Sequence, residues 1–277
     1  MIQRIIDIKT DGLAAFVKQS RRLVLALEYQ TITIAMVDKD LRNWVALEVI
    51  QFAKEDLENI VEYMSELKRV SALMNYTGLD TYIYVRTPDA MPIPSRLINN
   101  AMEFVTLQFG LPIGEMVHTA KADSNISVAF KVQAAWIDAF KVLFPEATIS
   151  STLSLLIKQG LASNEKTANP SMQLVFSRDV AELTLVQHNK LLIAKCFPFK
   201  VVDDLIYQIL DICKQLEITP KELSIKVQGL LDEKSPLYGS LLKFFEQVQF
   251  DLADSLAWGA PFKSVPAHYF TSLIKAS

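Results

Sequence analysis

Apolar and polar positions along this chain follow two periods, one of two residues and one of three to four, and the switches between them mark out its elements. From Leu23 to Leu27 the run is continuously apolar, Thr31–Val37 alternates polar with apolar, and Trp44–Phe52 alternates again, which predicts three consecutive strands with a turn at Asp38-Lys39-Asp40. Leu57, Ile60, Val61, Met64 and Leu67 then recur at steps of three and four, the spacing of an amphipathic helix laid over the sheet. Thr81–Val85, aromatic and β-branched, reads as a fourth strand. Pro92 and Pro94 are expected to break the chain ahead of a second helix, which carries Leu97, Ile98, Ala101, Met102 and Val105 on one face. Short strands around Val117 and Val128, a helix over 133–144 stopped by Pro145, a strand near Ile149 and a helix through Leu161 finish the half.

The stretch from Ser163 to Pro170 is polar and ends in proline, and marks a boundary, giving lobes over 1–165 and 166–277. The pattern then starts over. Gln173–Phe176, Glu182–Gln187 and Leu191–Phe197 read as strands, separated by turns at Arg178-Asp179 and His188-Asn189-Lys190. A helix over Asp203–Leu216, a strand at Leu223–Val227 and a helix opened by Pro236 follow. Leu23 corresponds to Gln173, Glu55 to Asp203 and Thr81 to Leu223, so strand, strand, strand, helix, strand, helix occurs twice in the same order. An internal duplication is the reading that order supports.

Composition narrows the function classes. The chain has 277 residues, 51% hydrophobic and 21% charged, ample for two cores. A formal net charge of −3, with 28 basic and 31 acidic residues interspersed, leaves no broad basic field for a nucleic acid, so none is expected as a partner. Mean hydropathy is +0.22, yet no apolar run approaches the ~20 residues that cross a bilayer, and no membrane insertion is expected. Charges at Arg4, Asp7 and Lys9 interrupt what would be a secretory leader, so the chain reads as cytoplasmic. Cys196 and Cys213 lie in apolar segments and read as buried free thiols. His118, His188 and His268 lack a second His or Cys at ligand spacing and read as turn or packing residues. Asp203-Asp204 opens a helix, where acidic side chains favour the positive end of its dipole. Aromatics concentrated in 257–262 and 266–270 are expected to pack across the second lobe; a docking surface is the alternative.

A duplicated βββαβα unit, an α/β arrangement of mixed sheets with helices on both faces, resembles the ribonuclease H-like, actin-like ATPase superfamily of actin, sugar kinases and chaperone ATPases. In layout it is similar to the actin-like proteins of pilus and type II secretion assembly and to an uncharacterised bacterial family with the same fold. The resemblance covers nearly the whole chain and is one of element order. It implies a cleft in which an Asp-x-Gly-Thr turn of the first lobe and a glycine-rich turn of the second hold Mg-ATP. The matching stretches here are Glu28-Tyr29-Gln30-Thr31 and Phe176-Ser177-Arg178-Asp179-Val180-Ala181, neither of which contains glycine. Only eight glycines occur in the chain, none adjacent to another, so the glycine pair that receives adenosine in the superfamily is missing too.

The candidate cleft residues are therefore Glu28, Gln30, Thr31, Arg178 and Asp179, with no catalytic residue and no metal ligand assigned. Gln30 is expected to fill space that phosphates need, and Arg178 to offer an anion contact. The expected function is a non-catalytic binding or scaffolding protein with a degenerate nucleotide cleft, no cofactor and a protein partner of unknown identity; a homodimer is compatible with it. The alternative is a divergent Mg-dependent ATPase or kinase in which Glu28 reaches a metal through water and Thr31 donates its hydroxyl. No Walker, Rossmann, nucleophile-elbow or zincin motif supports a further chemistry.

Overall fold

The computed structural model describes residues 2–10, 21–28, 30–38, 43–52, 60–76, 78–164, 169–178, 180–198, 200–252 and 260–276. Its strands are β1 (Gln3–Lys9), β2 (Arg21–Glu28), β3 (Thr31–Asp38), β4 (Trp44–Gln51), β5 (Asp80–Val85), β6 (Ala90–Pro94), β7 (Glu115–Lys121), β8 (Ile126–Gln133), β9 (Thr148–Ser151), β10 (Ser171–Phe176), β11 (Val180–Gln187), β12 (Lys190–Pro198), β13 (Ser224–Gly229) and β14 (Gln247–Phe250). The helices are α1 (Ile60–Val70), α2 (Ala101–Phe109), α3 (Ala134–Leu143), α4 (Thr152–Asn164), α5 (Val202–Gln215), α6 (Pro236–Phe244) and α7 (Thr271–Ile274).

Two mixed sheets dominate. The first has the order β1-β4-β3-β2-β5-β9 and the second β12-β11-β10-β13-β14. In each, three antiparallel strands are followed by two that run parallel to the first of them: β2 pairs with β5 and β5 with β9, as β10 pairs with β13 and β13 with β14. The repeated strand order is thus present in three dimensions, with β1 as an extra edge strand on the first sheet. A third, antiparallel sheet, β6-β8-β7, is inserted in the first half.

Both sheets are apolar where the alternation placed them. Leu23, Leu25 and Leu27 of β2 point into a core with Ile60, Met64 and Leu67 of α1 and Trp136 and Phe140 of α3. Met172, Leu174 and Phe176 of β10 do the same with Leu205, Ile209 and Cys213 of α5 and Leu241 of α6. Both cysteines are free and buried. Ser235 caps α6 by accepting from the Tyr238 N–H, ahead of Pro236 in the first turn. Phe245 is buried whereas its neighbour Phe244 is 48% exposed, as two adjacent residues on different faces must be.

Several elements depart from the sequence reading. Residues 3–9 form β1, which brings Lys9 Nζ within 2.9 Å of the carboxylate of the fully buried Glu48. Pro92 and Pro94 do not break the chain; they sit in β6, an edge strand whose free side needs no N–H donor. The helix α4, expected to complete the first half, packs on β10, β11 and β12 of the second sheet. The C-terminal aromatics divide between the halves: His268 lies against Phe250 and Tyr269 donates its hydroxyl to Asp232 of the second, as expected. Phe262 and Phe270, with Leu273 and Ile274 of α7, cover Val24, Ala26, Ala35, Val37 and Trp44 of the first sheet. The start of the first helix at 53–59 and the boundary at 165–168 lie outside the described residues.

Candidate functional site

The bend between β2 and β3 and the bend between β10 and β11 face one cavity. The antiparallel register pairs Glu28 with Thr31 across a two-residue turn, which sets both side chains at the tip of the first hairpin. On its other side β2 is parallel to β5, with Leu27 opposite Val85, and the Arg86 N–H donates to the Leu27 carbonyl at 2.9 Å. This ladder delivers the Arg86 side chain to the hairpin. In the second sheet Phe176 lies opposite Gly229, whose φ of 86° and close approach exclude any side chain: a Cβ there would sit 2.0 Å from the Phe176 carbonyl oxygen.

Arg86 ties the two sheets together. Its Nη1 donates to Glu28 of the first sheet, and its Nε donates to Glu182 Oε2 of the second at 2.9 Å. The three side chains are 8%, 22% and 1% exposed respectively. Thr152, at the start of α4, donates its hydroxyl to the other Glu182 oxygen, and Cys196 Sγ lies 3.9 Å from the same atom. The cluster holds two carboxylates and one guanidinium, a sum of −1. Burial pushes the Glu28 carboxyl above its ordinary value, and the Glu182 charge adds to that, while Arg86 opposes both. Burial alone would lower Arg86, but the charges of Glu28 and Glu182 outweigh it and hold the guanidinium more firmly protonated. Burial and then the Glu182 charge raise the Cys196 thiol well above its ordinary value, so it is a packed thiol.

A cavity of about 270 Å³ opens beside this cluster, lined by Glu28, Thr31 and Arg86 of the first half, Ser177, Arg178 and Leu230 of the second, and Tyr269, Phe270 and Leu273 of the C-terminal segment among others. Three of the five sequence-predicted residues, Glu28, Thr31 and Arg178, are thus brought together. Gln30 is not among the lining residues; its carbonyl accepts from the Phe52 N–H at 3.1 Å instead, so it does not fill the cavity as expected. Asp179 lies outside the described residues. Glu28 is not a plain turn residue but half of a buried ion pair. A second cavity of about 210 Å³ lies on the far side of Glu28 and Arg86, between the first sheet and the small one, where Lys131 pairs with Asp89 at 2.9 Å and Glu115 at 3.0 Å.

Arg86, Glu182 and Thr152 escaped the sequence reading. Arg86 directly follows an apolar strand, and Glu182 occupies an inward position between Ala181 and Leu183; a charge inside a buried strand is the signal that marks such a residue. The histidines do what was expected of them. His118 packs on Phe130 with ring centroids 5.5 Å apart, His188 sits in a turn at φ 50°, and His268 lies tilted against Phe250 with centroids 4.2 Å apart. Among the described residues no group of three metal-ligating side chains occurs, and no helix is long and apolar enough to cross a membrane.

The family model described as "Protein of unknown function (DUF3822)" matches residues 13–248. The chain belongs to that family. No curated protein matches it. A protein of Bacteroides thetaiotaomicron VPI-5482, described as having an actin-like ATPase fold and unknown function, is similar over 97% of this chain and 99% of its own, with 17% identity and a TM-score of 0.78. A chain of the PilM-PilN type IV pilus biogenesis complex is similar over 92% of this chain and 97% of its own, with 11% identity and a TM-score of 0.54. The cytoplasmic domain of EpsL, an inner membrane component of the type II secretion system of Vibrio cholerae, is similar over 91% and 98%, with 9% identity and a TM-score of 0.47. At these identities the likeness concerns the fold: this member of the family has an actin-like ATPase fold.

Proposed function

We propose that this protein is a non-catalytic binding or scaffolding protein of the bacterial cytoplasm whose actin-like cleft has lost its nucleotide. The observation that carries the reading is Arg86, which spans the cleft from Glu28 to Glu182. A magnesium triphosphate is anionic and needs donors aimed at its oxygens. Arg86 already spends its fork on two carboxylates, and the cluster it forms is net negative. Two further features support the reading. Leu230 lines the cavity, and neither hairpin bend has a glycine to bring bare backbone N–H groups forward. The similar PilM-PilN chain belongs to a protein complex, which makes a protein partner the natural role for a cleft that no longer turns over nucleotide.

A second reading, a divergent Mg-dependent ATPase or kinase, draws on Glu28 and Thr31, both of which line the cavity. It requires Arg86 to leave Glu28. Calorimetry with Mg-ATP and Mg-ADP at millimolar concentration separates the two. No heat of binding is expected; binding that Glu28→Ala abolishes would establish the ATPase reading instead.

A further inference from the structure

We infer that the cleft cavity binds a small amphipathic monoanion, an apolar body carrying one carboxylate or sulfonate. This rests on the reading that the cleft is not a nucleotide site, and it assigns the cavity a ligand of different chemistry.

The walls set the body of the ligand. Ile6 and Val49 of the first sheet, Leu230 just after β13, and Phe270 and Leu273 of the C-terminal segment line the same space of about 270 Å³. At ~30 Å³ per water in the liquid, that space equals roughly nine waters, enough for a chain of medium length or a fused pair of aromatic rings. Apolar surface moved there from water is stabilised in proportion to the area buried. An apolar body therefore has a reason to enter.

The charges set the head group. Arg86 is neutralised by Glu28 and Glu182, so it has no charge to spare. Arg178 is different: it lines the cavity, is exposed, and makes no ion pair among the described residues. No lysine is among the described lining residues. One unspent guanidinium at the rim matches one anionic group, held by two parallel N–H donors. A di- or triphosphate would bring several negative charges against the one guanidinium that makes no ion pair among the described lining residues, within reach of a cluster that is itself net negative. Thr31, Thr33, Gln51 and Ser177 add neutral hydrogen-bonding groups to the wall, which suit a carboxylate and do not offset further charge.

The test uses octanoate as the probe and 1-octanol, the same tail without charge, as its control, with calorimetry on the full chain. Octanoate is expected to bind, and Arg178→Ala to weaken it by about tenfold or more while leaving octanol unchanged, the loss of one charge-assisted contact. Leu230→Trp, which fills the cavity from an exposed position, is expected to abolish binding of both probes; thermal unfolding of each variant shows whether it folds. Absence of octanoate binding to the wild type, or equal binding to Arg178→Ala, overturns the inference. If Mg-ATP is also not bound, the reading of a degenerate cleft survives that failure. Displacement of octanoate by Mg-ATP would sink both.

Discussion

The matched faces of the two sheets are covered in opposite ways. Over the first sheet lies the C-terminal segment, in which Phe262, Phe270, Leu273 and Ile274 meet Val24, Ala35 and Trp44 in an apolar seam. Trp44 makes an edge contact with Phe262 at 6.5 Å and a tilted one with Phe270 at 6.1 Å. Over the second sheet lies α4, and the face beneath it is polar: Gln173, Glu182 and Thr184 are each 2% exposed or less. Gly160 allows α4 to approach so closely that a Cβ would stand 3.2 Å from Val186 Cγ2. One cover is held by area removed from water; the other closes over polar groups, of which Glu182 is paired with Arg86 and Thr152 while Gln173 Oε1 and Thr184 Oγ1 have no hydrogen-bond partner among the described residues. The second carries the Arg86 charge network, and that network is where the sheets join. The same strand order therefore supports two kinds of cohesion, and the polar kind sits at the cleft.

The contrast can be broken most sharply at its two anchors. Arg86→Met should destabilise the fold by about 3–5 kcal/mol, because Glu28 and Glu182 then stay buried without their cation. Replacing all three together, as Glu28→Gln, Arg86→Met and Glu182→Gln, should recover most of that loss, since removing a whole buried ion network is close to neutral. Trp44→Ala should cost about 3–5 kcal/mol by transfer and cavity effects, with no comparable rescue by polar partners. Urea unfolding of the three variants measures both; a triple variant as unstable as Arg86→Met would erase the distinction between the covers.

Smaller effects sharpen the same contrast. Gly160→Ala should give a net loss of about 1 kcal/mol, the gain in helix propensity of ~1 kcal/mol being outweighed by crowding against Val186. A net gain in the same unfolding experiment would mean α4 sits more loosely on its sheet than its spacing requires. The pH dependence of Glu28 is subtler. Its carboxyl is raised above the ordinary value of 4.5, so the folded state keeps a proton that the unfolded chain has released. Its titration therefore lowers stability as pH rises from about 4.5 through the raised value. The stability difference between wild type and Glu28→Gln should fall across that window and level off above it. A difference that grows with pH would mean that pairing with Arg86 outweighs the burial of Glu28.

Much of the fold was legible because β2 is a continuous apolar run, β3 alternates polar with apolar, and α1 and α5 carry the stripe of helices lying on the sheets. The turn at His188-Asn189 was legible because both residues tolerate positive φ, here 50° and 57°. β1 was hidden because its residues are largely exposed at a sheet edge, so no apolar alternation was required of it. β6 was hidden by two prolines that an edge strand tolerates. The exchange of covers between the halves left no local trace, because a helix stripe records that a face is buried and not which sheet buries it. The site was half legible for the same reason. Glu28 and Thr31 were found from their place between two strands, but Arg86 and Glu182 are 96 positions apart, and no spacing rule connects them. Only the charge of Glu182 inside a buried strand pointed that way.

The account turns on whether Arg86 keeps the cleft from accepting phosphates. A crystal structure grown with magnesium and a non-hydrolysable ATP analogue tests this directly. The account predicts Arg86 still seated between Glu28 and Glu182, with no phosphate density between the hairpin bends. Phosphates bound between those bends, with Arg86 swung away from Glu28, would contradict it.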